Sequence, residues 1–215
     1  MMQNFLLINK MSTKLSMPTK QTLRYERKYI LENPFLHNLE AHLLIHPAGF
    51  LKSYPQRQVN SLYYDSPTLK NYHASINGEY NRVKPRVRWY GPNTNKTTSG
   101  QLELKIKTGE LGYKKILPLK NSKPILKDLI PTLLTSYTRQ YYISANKKVR
   151  LTIDQNISYT NFLNQLKETA TNPQTIIEIK YPVEARQYAI SVPQFLPLTL
   201  NRMSKYVAGI DLFLK

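Results

Sequence analysis

From Thr22 onward the chain alternates between bulky and charged residues. Arg24-Tyr25-Glu26-Arg27-Lys28-Tyr29-Ile30 interleaves the two kinds with a period of two, the spacing that puts successive side chains on opposite faces of a β-strand. Strand patterns follow in Arg57–Asp65, Arg82–Tyr90, Gln101–Lys107, Gly112–Leu119, Thr135–Ser144, Lys148–Asp154 and Thr175–Tyr181. Thr108-Gly109-Glu110 and Ala145-Asn146-Lys147 are turn signals that join two of these pairs into hairpins. Helices are expected where a cap precedes apolar residues at helical spacing. Asn33-Pro34 opens one carrying Leu36, Leu39 and Leu43, and Ser66-Pro67 opens another carrying Leu69, Tyr72 and Ile76. Pro124–Leu134 reads as a short helix interrupted by Pro131, and Asn201–Leu214 as a partly helical end. Eight or so mostly antiparallel strands with a few helices predict an α+β fold, a closed antiparallel β-barrel with flanking connecting helices. Residues 1–22 are polar and read as a flexible tail ahead of one domain over 23–215.

The charges carry the same period. Arg24, Glu26 and Lys28 share a strand face, as do Arg82, Lys84, Arg86 and Arg88; Glu103, Lys105 and Lys107; Arg150 and Asp154; and Glu178 and Lys180. The opposite faces are apolar: Val87 and Trp89; Leu102, Leu104 and Ile106; Val149, Leu151 and Ile153; Ile177 and Ile179. A sheet with one face in water gives such alternation for any single strand. Here five strands share an ionic face dominated by Arg and Lys, with a carboxylate on most of them. Closing such a sheet with the ionic faces inward makes a tunnel lined by cations.

Composition sharpens the picture. The chain has 215 residues, with 31 Lys and Arg against 13 Asp and Glu, a net charge of +18, which predicts a polyanionic partner. The absence of cysteine excludes disulfide frameworks, thiolate nucleophiles and Cys-ligated metals. With only seven glycines and no Walker or dinucleotide fingerprint, a glycine-rich phosphate loop is not expected. The longest apolar runs, such as Phe5-Leu6-Leu7-Ile8, are far short of a membrane span or a secretory-signal core, which predicts a cytoplasmic protein. His42 and His46 lie four apart, a metal-like spacing without a supporting motif, and read as ordinary helix positions.

An empty cationic lumen repels itself, and phosphate chains relieve that repulsion. Arg matches phosphate oxygens with a planar fork, and Lys offers a mobile point charge. The interspersed carboxylates can hold Mn2+ or Mg2+, hard cations that bridge phosphates. Bases for phosphate and acids for a metal form the inventory of phosphoryl transfer.

RYERKYIL (24–31), SLYYDSP (61–67), RVRWYG (86–91), LELKIK (102–107), YTRQYY (137–142), VRLTID (149–154), IIEIKYP (176–182) and RMSKYVAG (202–209) recur together in order. In this the chain resembles the catalytic domain of the VTC polyphosphate polymerases, a branch of the triphosphate tunnel metalloenzymes, over about residues 22–210. The resemblance implies a tunnel that binds triphosphate and transfers the γ-phosphoryl of ATP to a growing inorganic polyphosphate chain, releasing ADP. It implies phosphate contacts, with catalytic roles among them, at Lys28, Arg86, Arg88, Lys105, Arg139 and Arg150, and further contacts at Lys107, Lys114, Lys180, Arg202, Ser204 and Lys205. Tyr137 would donate a hydroxyl hydrogen bond. Glu178 would be the main metal ligand, with Glu26 beside it, for Mn2+ or Mg2+. The related triphosphatases and cyclases begin with E-x-E-x-K, where this chain has Arg24, Glu26 and Lys28; the lost carboxylate favours the polymerase branch. The regulatory domain and membrane helices of the fungal subunits have no counterpart here, so regulation or membrane tethering would need another polypeptide. The alternatives are a metal-dependent inorganic triphosphatase and a non-catalytic polyphosphate- or RNA-binding module. Nucleic acid is not the expected partner.

Overall fold

Among the described residues, ten strands form one antiparallel sheet that returns on itself. The computed structural model describes residues 23–31, 38–92, 100–163, 167–196, 198–201 and 203–214. The expected tail, the helix start at Asn33-Pro34, residues 93–99 and Arg202 lie outside them.

In chain order the elements are β1 (Arg24–Leu31), α1 (Leu39–Leu44), β2 (Leu51–Asp65), α2 (Lys70–Ile76), β3 (Asn81–Tyr90), β4 (Gln101–Thr108), β5 (Leu111–Pro118), α3 (Lys123–Leu126), β6 (Ile130–Ile143), β7 (Arg150–Asn161), β8 (Thr169–Asn172), β9 (Thr175–Pro182), α4 (Arg186–Ser191), β10 (Thr199–Asn201) and α5 (Lys205–Asp211). The ring runs β1-β5-β4-β3-β2-β6-β7-β9 and back to β1. β9 pairs with β1 along its whole length, Leu31 opposite Thr175 and Arg24 opposite Pro182. The β1–β5 seam is narrow: Arg24 faces Gly112 and Tyr25 faces Leu111. β8 and β10 hang outside the ring on β7 and β1.

The expected strands and hairpins form, with one substantial correction. The helix expected over 124–134 is only Lys123–Leu126, and β6 already begins at Ile130. Pro131 pairs with Tyr64 beside a register shift in the β2–β6 ladder, a place where a strand tolerates a proline's missing N–H. β8, β10 and α4 are too short for periodicity to disclose.

Two of the three apolar clusters lie on the outer face of the ring, and the third, with Val59, Tyr63, Leu133, Tyr137 and Tyr206, lies where α5 closes one end. The apolar faces of β3, β4, β7 and β9 are buried in clusters that include helix residues. Leu39 and Leu43 of α1 and Ala189 of α4 cover Leu151, Ile153, Ile177 and Ile179. Ile125 and Leu126 of α3 pack against the cluster of Val87, Trp89, Leu102, Leu104 and Ile106. Each fully buried aliphatic side chain contributes about 1.5–3 kcal/mol, which offsets a lumen that cannot be apolar. His46 belongs to this outer packing: its Nε2 donates to the Val192 carbonyl and its Nδ1 accepts the Ala48 N–H, so both ring nitrogens are satisfied without a metal.

One end of the ring is closed by α5. Gly209 sits so close to the sheet that a Cβ there would lie 2.5 Å from Leu133 and 2.6 Å from Tyr159. Tyr206 stacks on Tyr63 at 5.0 Å and donates its hydroxyl to Asp65 at 2.6 Å. Asp65, fully buried, also accepts the N–H groups of Ser66, Asn71 and Tyr72, so it caps α2 and anchors α5 together. Tyr72 completes the latch by donating to Asp211. Among the described residues no helix is long and apolar enough to cross a membrane.

Candidate functional site

A cavity of about 1160 Å³ runs inside the ring. Of the residues singled out in the sequence, Lys28, Arg86, Arg88, Lys105, Lys107, Lys114, Tyr137, Arg139, Arg150, Glu178, Lys180, Ser204, Lys205 and Glu26 all line it. Arg202 lies outside the described residues. Arg24 also lines the cavity, as do Arg82 and Lys84. The strand pairing explains the convergence. Residues opposite one another in a ladder share a face, and Lys28 opposite Glu178, Lys84 opposite Lys105, Lys105 opposite Lys114, Arg86 opposite Glu103 and Arg139 opposite Asp154 are such pairs.

The lining is organised around four carboxylates. Asp154 accepts both Nε and Nη2 of Arg139 at 2.5 and 2.6 Å, and Lys205 at 2.5 Å. Glu178 accepts Lys180 at 2.5 Å, Arg139 at 3.1 Å and Lys205 at 3.3 Å. Glu103 takes two donors of Arg86 at 2.9 and 2.7 Å on one oxygen and Lys114 at 2.7 Å on the other. Glu26 accepts Lys105 at 2.7 Å. Arg88 is fixed by the Ser61 hydroxyl at 3.0 Å and the Tyr137 hydroxyl at 3.1 Å, and Arg86 also donates to Tyr63. The phenol of Tyr137 therefore accepts from an arginine here, rather than only donating outward.

Burial alone would raise the carboxyl pKa values, but the cations outweigh it. Lys105 holds Glu26, and Lys180, Lys205 and Arg139 hold Glu178, well below the usual carboxylate range. Arg139 and Lys205 lower Asp154, and Arg86, Arg88 and Lys114 lower Glu103. All four acids stay ionised, and the cations still outnumber them. Among the described residues Arg82, Lys84, Lys107 and Arg150 have no carboxylate within ion-pair distance. Lys28 and Lys84 donate to the segment before α5, to the Met203 carbonyl and the Ser204 hydroxyl, each at 2.9 Å.

The crowding strips protons from lysines. Burial, followed by the charges of Lys28, Lys105, Arg82 and Lys107, pushes Lys84 down to about 6. Burial pushes Lys105 down to about 7 even beside Glu26. Between pH 6 and the ordinary lysine range, the unfolded chain therefore holds a proton at Lys84 that the folded chain lacks. At this site the ligand-free protein gains stability as pH rises through that window. A polyanion reverses the preference and recharges Lys84, so binding takes up a proton and weakens as pH rises. Calorimetry of triphosphate binding at pH 8 in buffers of different ionisation enthalpy should count about one proton fewer for Lys84→Arg than for the native protein. Equal uptake would show that Lys84 stays charged in the empty tunnel.

The donor set tests the expected metal. Among the described residues no three His, Asp or Glu side chains converge as a metal cage. Both oxygens of Glu178 already accept cationic donors. An all-protein metal site does not fit these residues. One or two carboxylates would hold a hard divalent ion only together with several phosphate oxygens.

Several functional residues escaped sequence reasoning. Lys84, Glu103 and Asp154 lie on the ionic faces by parity, yet nothing in the sequence shows that the two acids hold Arg86 and Arg139. Ser61 and Tyr63 share the inward parity of β2, a signal masked by their neutral side chains.

The geometry matches known proteins in fold. A putative adenylate cyclase from Vibrio parahaemolyticus superposes with a TM-score of 0.57 at 13% identity, covering 88% of this chain and 99% of its own. The PH1819 protein from Pyrococcus horikoshii OT3 gives 0.54 at 14% identity, covering 89% and 99%. No curated protein matches the chain in sequence. The family model described as the VTC domain matches residues 23–127 and 122–214, nearly all of the ring and the helix that closes it. With the ionic strand faces turned into one lumen and that model spanning the whole domain, the chain belongs to the VTC domain family.

Proposed function

We infer that the protein is an ATP-dependent polyphosphate polymerase that transfers the γ-phosphoryl group of ATP to a growing inorganic polyphosphate chain and releases ADP. The observation that carries this reading is the cation excess along the lumen of a VTC-family domain. A pocket for one phosphate needs few cations, whereas this lining offers them on every strand of the ring except β2, Arg24 among them.

The residues divide by how firmly they are held. Arg86, Arg88 and Arg139 are buried and pinned by Glu103, Ser61, Tyr137 and Asp154. Their guanidinium groups are donors placed in advance, which need no reorganisation when charge spreads over the transferring phosphoryl. Among the described residues Lys84, Lys107 and Arg150 lack carboxylate partners, and they suit the flanking phosphates of substrate and product. Lys28 and Lys84 touch the segment before α5, so they sit where the chain end meets the closed side of the ring. The bond between the γ-phosphorus and the β–γ bridging oxygen breaks, a terminal polyphosphate oxygen forms the new bond, and ADP leaves with the bridging oxygen. Mn2+ or Mg2+ on Glu178 and Glu26 would supply charge neutralisation for the phosphate oxygens. A cytoplasmic setting, where ATP is supplied, belongs to the same proposal.

Purified protein incubated with γ-labelled ATP and Mn2+ should give a ladder of polyphosphate on a gel with matching ADP. Label released only as orthophosphate would replace this reading by an inorganic triphosphatase. Binding without turnover, steeply dependent on salt and indifferent to divalent ions, would replace it by a polyanion-binding module.

A further inference from the structure

On the side formed by β2, β3 and β6 the lumen changes character at the end opposite α5, while Arg150 lines that end on β7. On β3 the inward face runs Arg86, Arg88, Tyr90, and on β6 it runs Tyr137, Arg139, Tyr141, so one two-residue step of about 7 Å leads from a pinned guanidinium to a phenol on each strand. Tyr54 of β2 lies opposite Tyr141 and meets its ring edge-on at 5.7 Å. These three rings surround Arg57, whose guanidinium carbon lies 4.5 Å from the ring centre of Tyr90, 4.9 Å from Tyr141 and 5.6 Å from Tyr54. Among the described residues Arg57 Nε is buried without a hydrogen-bond partner. Tyr54 and Tyr90 remain 62% and 48% exposed, although both line the cavity.

Such a cluster is poorly suited to a phosphate chain. The one cation in it is covered by rings, and phenol faces repel anions. It is well suited to a flat, polarisable group that arrives attached to phosphates. A base stacks on an aromatic or guanidinium plane whatever its identity, because every base has a π-face. The distance is right as well: the cluster begins one step beyond Arg88 and Arg139, where a triphosphate held by those arginines would end. We propose that the tyrosine cluster around Arg57 is the seat of the nucleoside of a nucleoside triphosphate whose phosphates occupy the cationic lumen. It gives the substrate a fixed direction, with the base at this mouth and the γ-phosphoryl pointing towards α5. This deepens the polymerase reading and rests on it for the orientation of the reacting group.

The test compares ATP with inorganic triphosphate, which shares the phosphates and lacks the base. Tyr90→Ala should weaken ATP binding about tenfold, the loss of one stacked ring, while triphosphate affinity stays within about twofold of native. Tyr90→Phe, which keeps the ring, should restore ATP binding. The retained triphosphate affinity is itself the check that the variant has folded. Equal weakening of both ligands would overturn the proposal, because the cluster would then only shape the tunnel. Unchanged ATP affinity in Tyr90→Ala combined with Tyr54→Ala would overturn it too. A native protein that binds both ligands but makes no polymer would remove the polymerase and leave the nucleoside seat intact.

Discussion

Asp154→Asn is expected to destabilise the ligand-free protein by about 3–5 kcal/mol, the cost of breaking a buried ion network from one side. Asp154 is fully buried and is the point at which Arg139 and Lys205 meet. Asparagine keeps the shape but removes the charge, and its amide places a donor where both partners also donate. Two cations are then left in a lumen that already lacks counter-charge. For a chain of this size the loss lowers the melting temperature by about 10 °C. The same change should enlarge the stabilisation produced by triphosphate, since phosphate oxygens replace the missing carboxylate for Arg139 and Lys205. Thermal unfolding with and without triphosphate checks both statements. An unchanged midpoint without ligand would mean that Asp154 does not hold those cations, and a smaller ligand shift would mean that it orients Arg139 and Lys205 for phosphate rather than competing with phosphate for them.

Parity explains why so much of this was legible. On a strand the charge of a side chain and the face it occupies are both written in sequence, so Arg86, Arg88, Lys105, Glu178 and Lys180 could be placed on inward faces before any pairing was known. What parity cannot give is who stands opposite whom. The link of Lys205 to Asp154 and Glu178 joins residues far apart in sequence through α5. The capture of Arg88 by Ser61 and Tyr137 depends on the β2–β3 and β2–β6 registers. The helix expected over 124–134 failed for a related reason: Pro131 looks like a helix break until the bulge opposite Tyr64 gives it a place in a strand. The metal expectation was incomplete in the same way. Carboxylates appear in sequence as potential ligands, and only the packed lumen shows that each is already neutralised by lysine or arginine.

That neutralisation makes Glu178→Gln the most discriminating change for activity. If Glu178 serves the transferring phosphoryl, by holding a divalent ion together with phosphate oxygens and by aligning Lys180, Lys205 and Arg139, its loss should lower turnover by about 10²–10³-fold, the range for removing one positioned electrostatic group. Triphosphate should still bind and still raise the melting temperature, because the variant removes an anion from an anion site. The fall in turnover should persist at saturating ATP, since the interaction lost belongs to the transition state rather than to ground-state binding. A second variant separates the two ways in which Glu178 can matter. Lys180→Met combined with Glu178→Gln restores the charge balance of the pocket without restoring the carboxylate. If turnover recovers in the double variant, Glu178 is a counter-ion for Lys180 and the metal assignment falls. If turnover stays low while triphosphate binding remains near native, the carboxylate itself is required, and raising Mn2+ should recover part of the activity of Glu178→Asp but none of that of Glu178→Gln. Native turnover in Glu178→Gln alone would remove this residue from the chemistry altogether, leaving the pinned arginines of β3 and β6 to carry it.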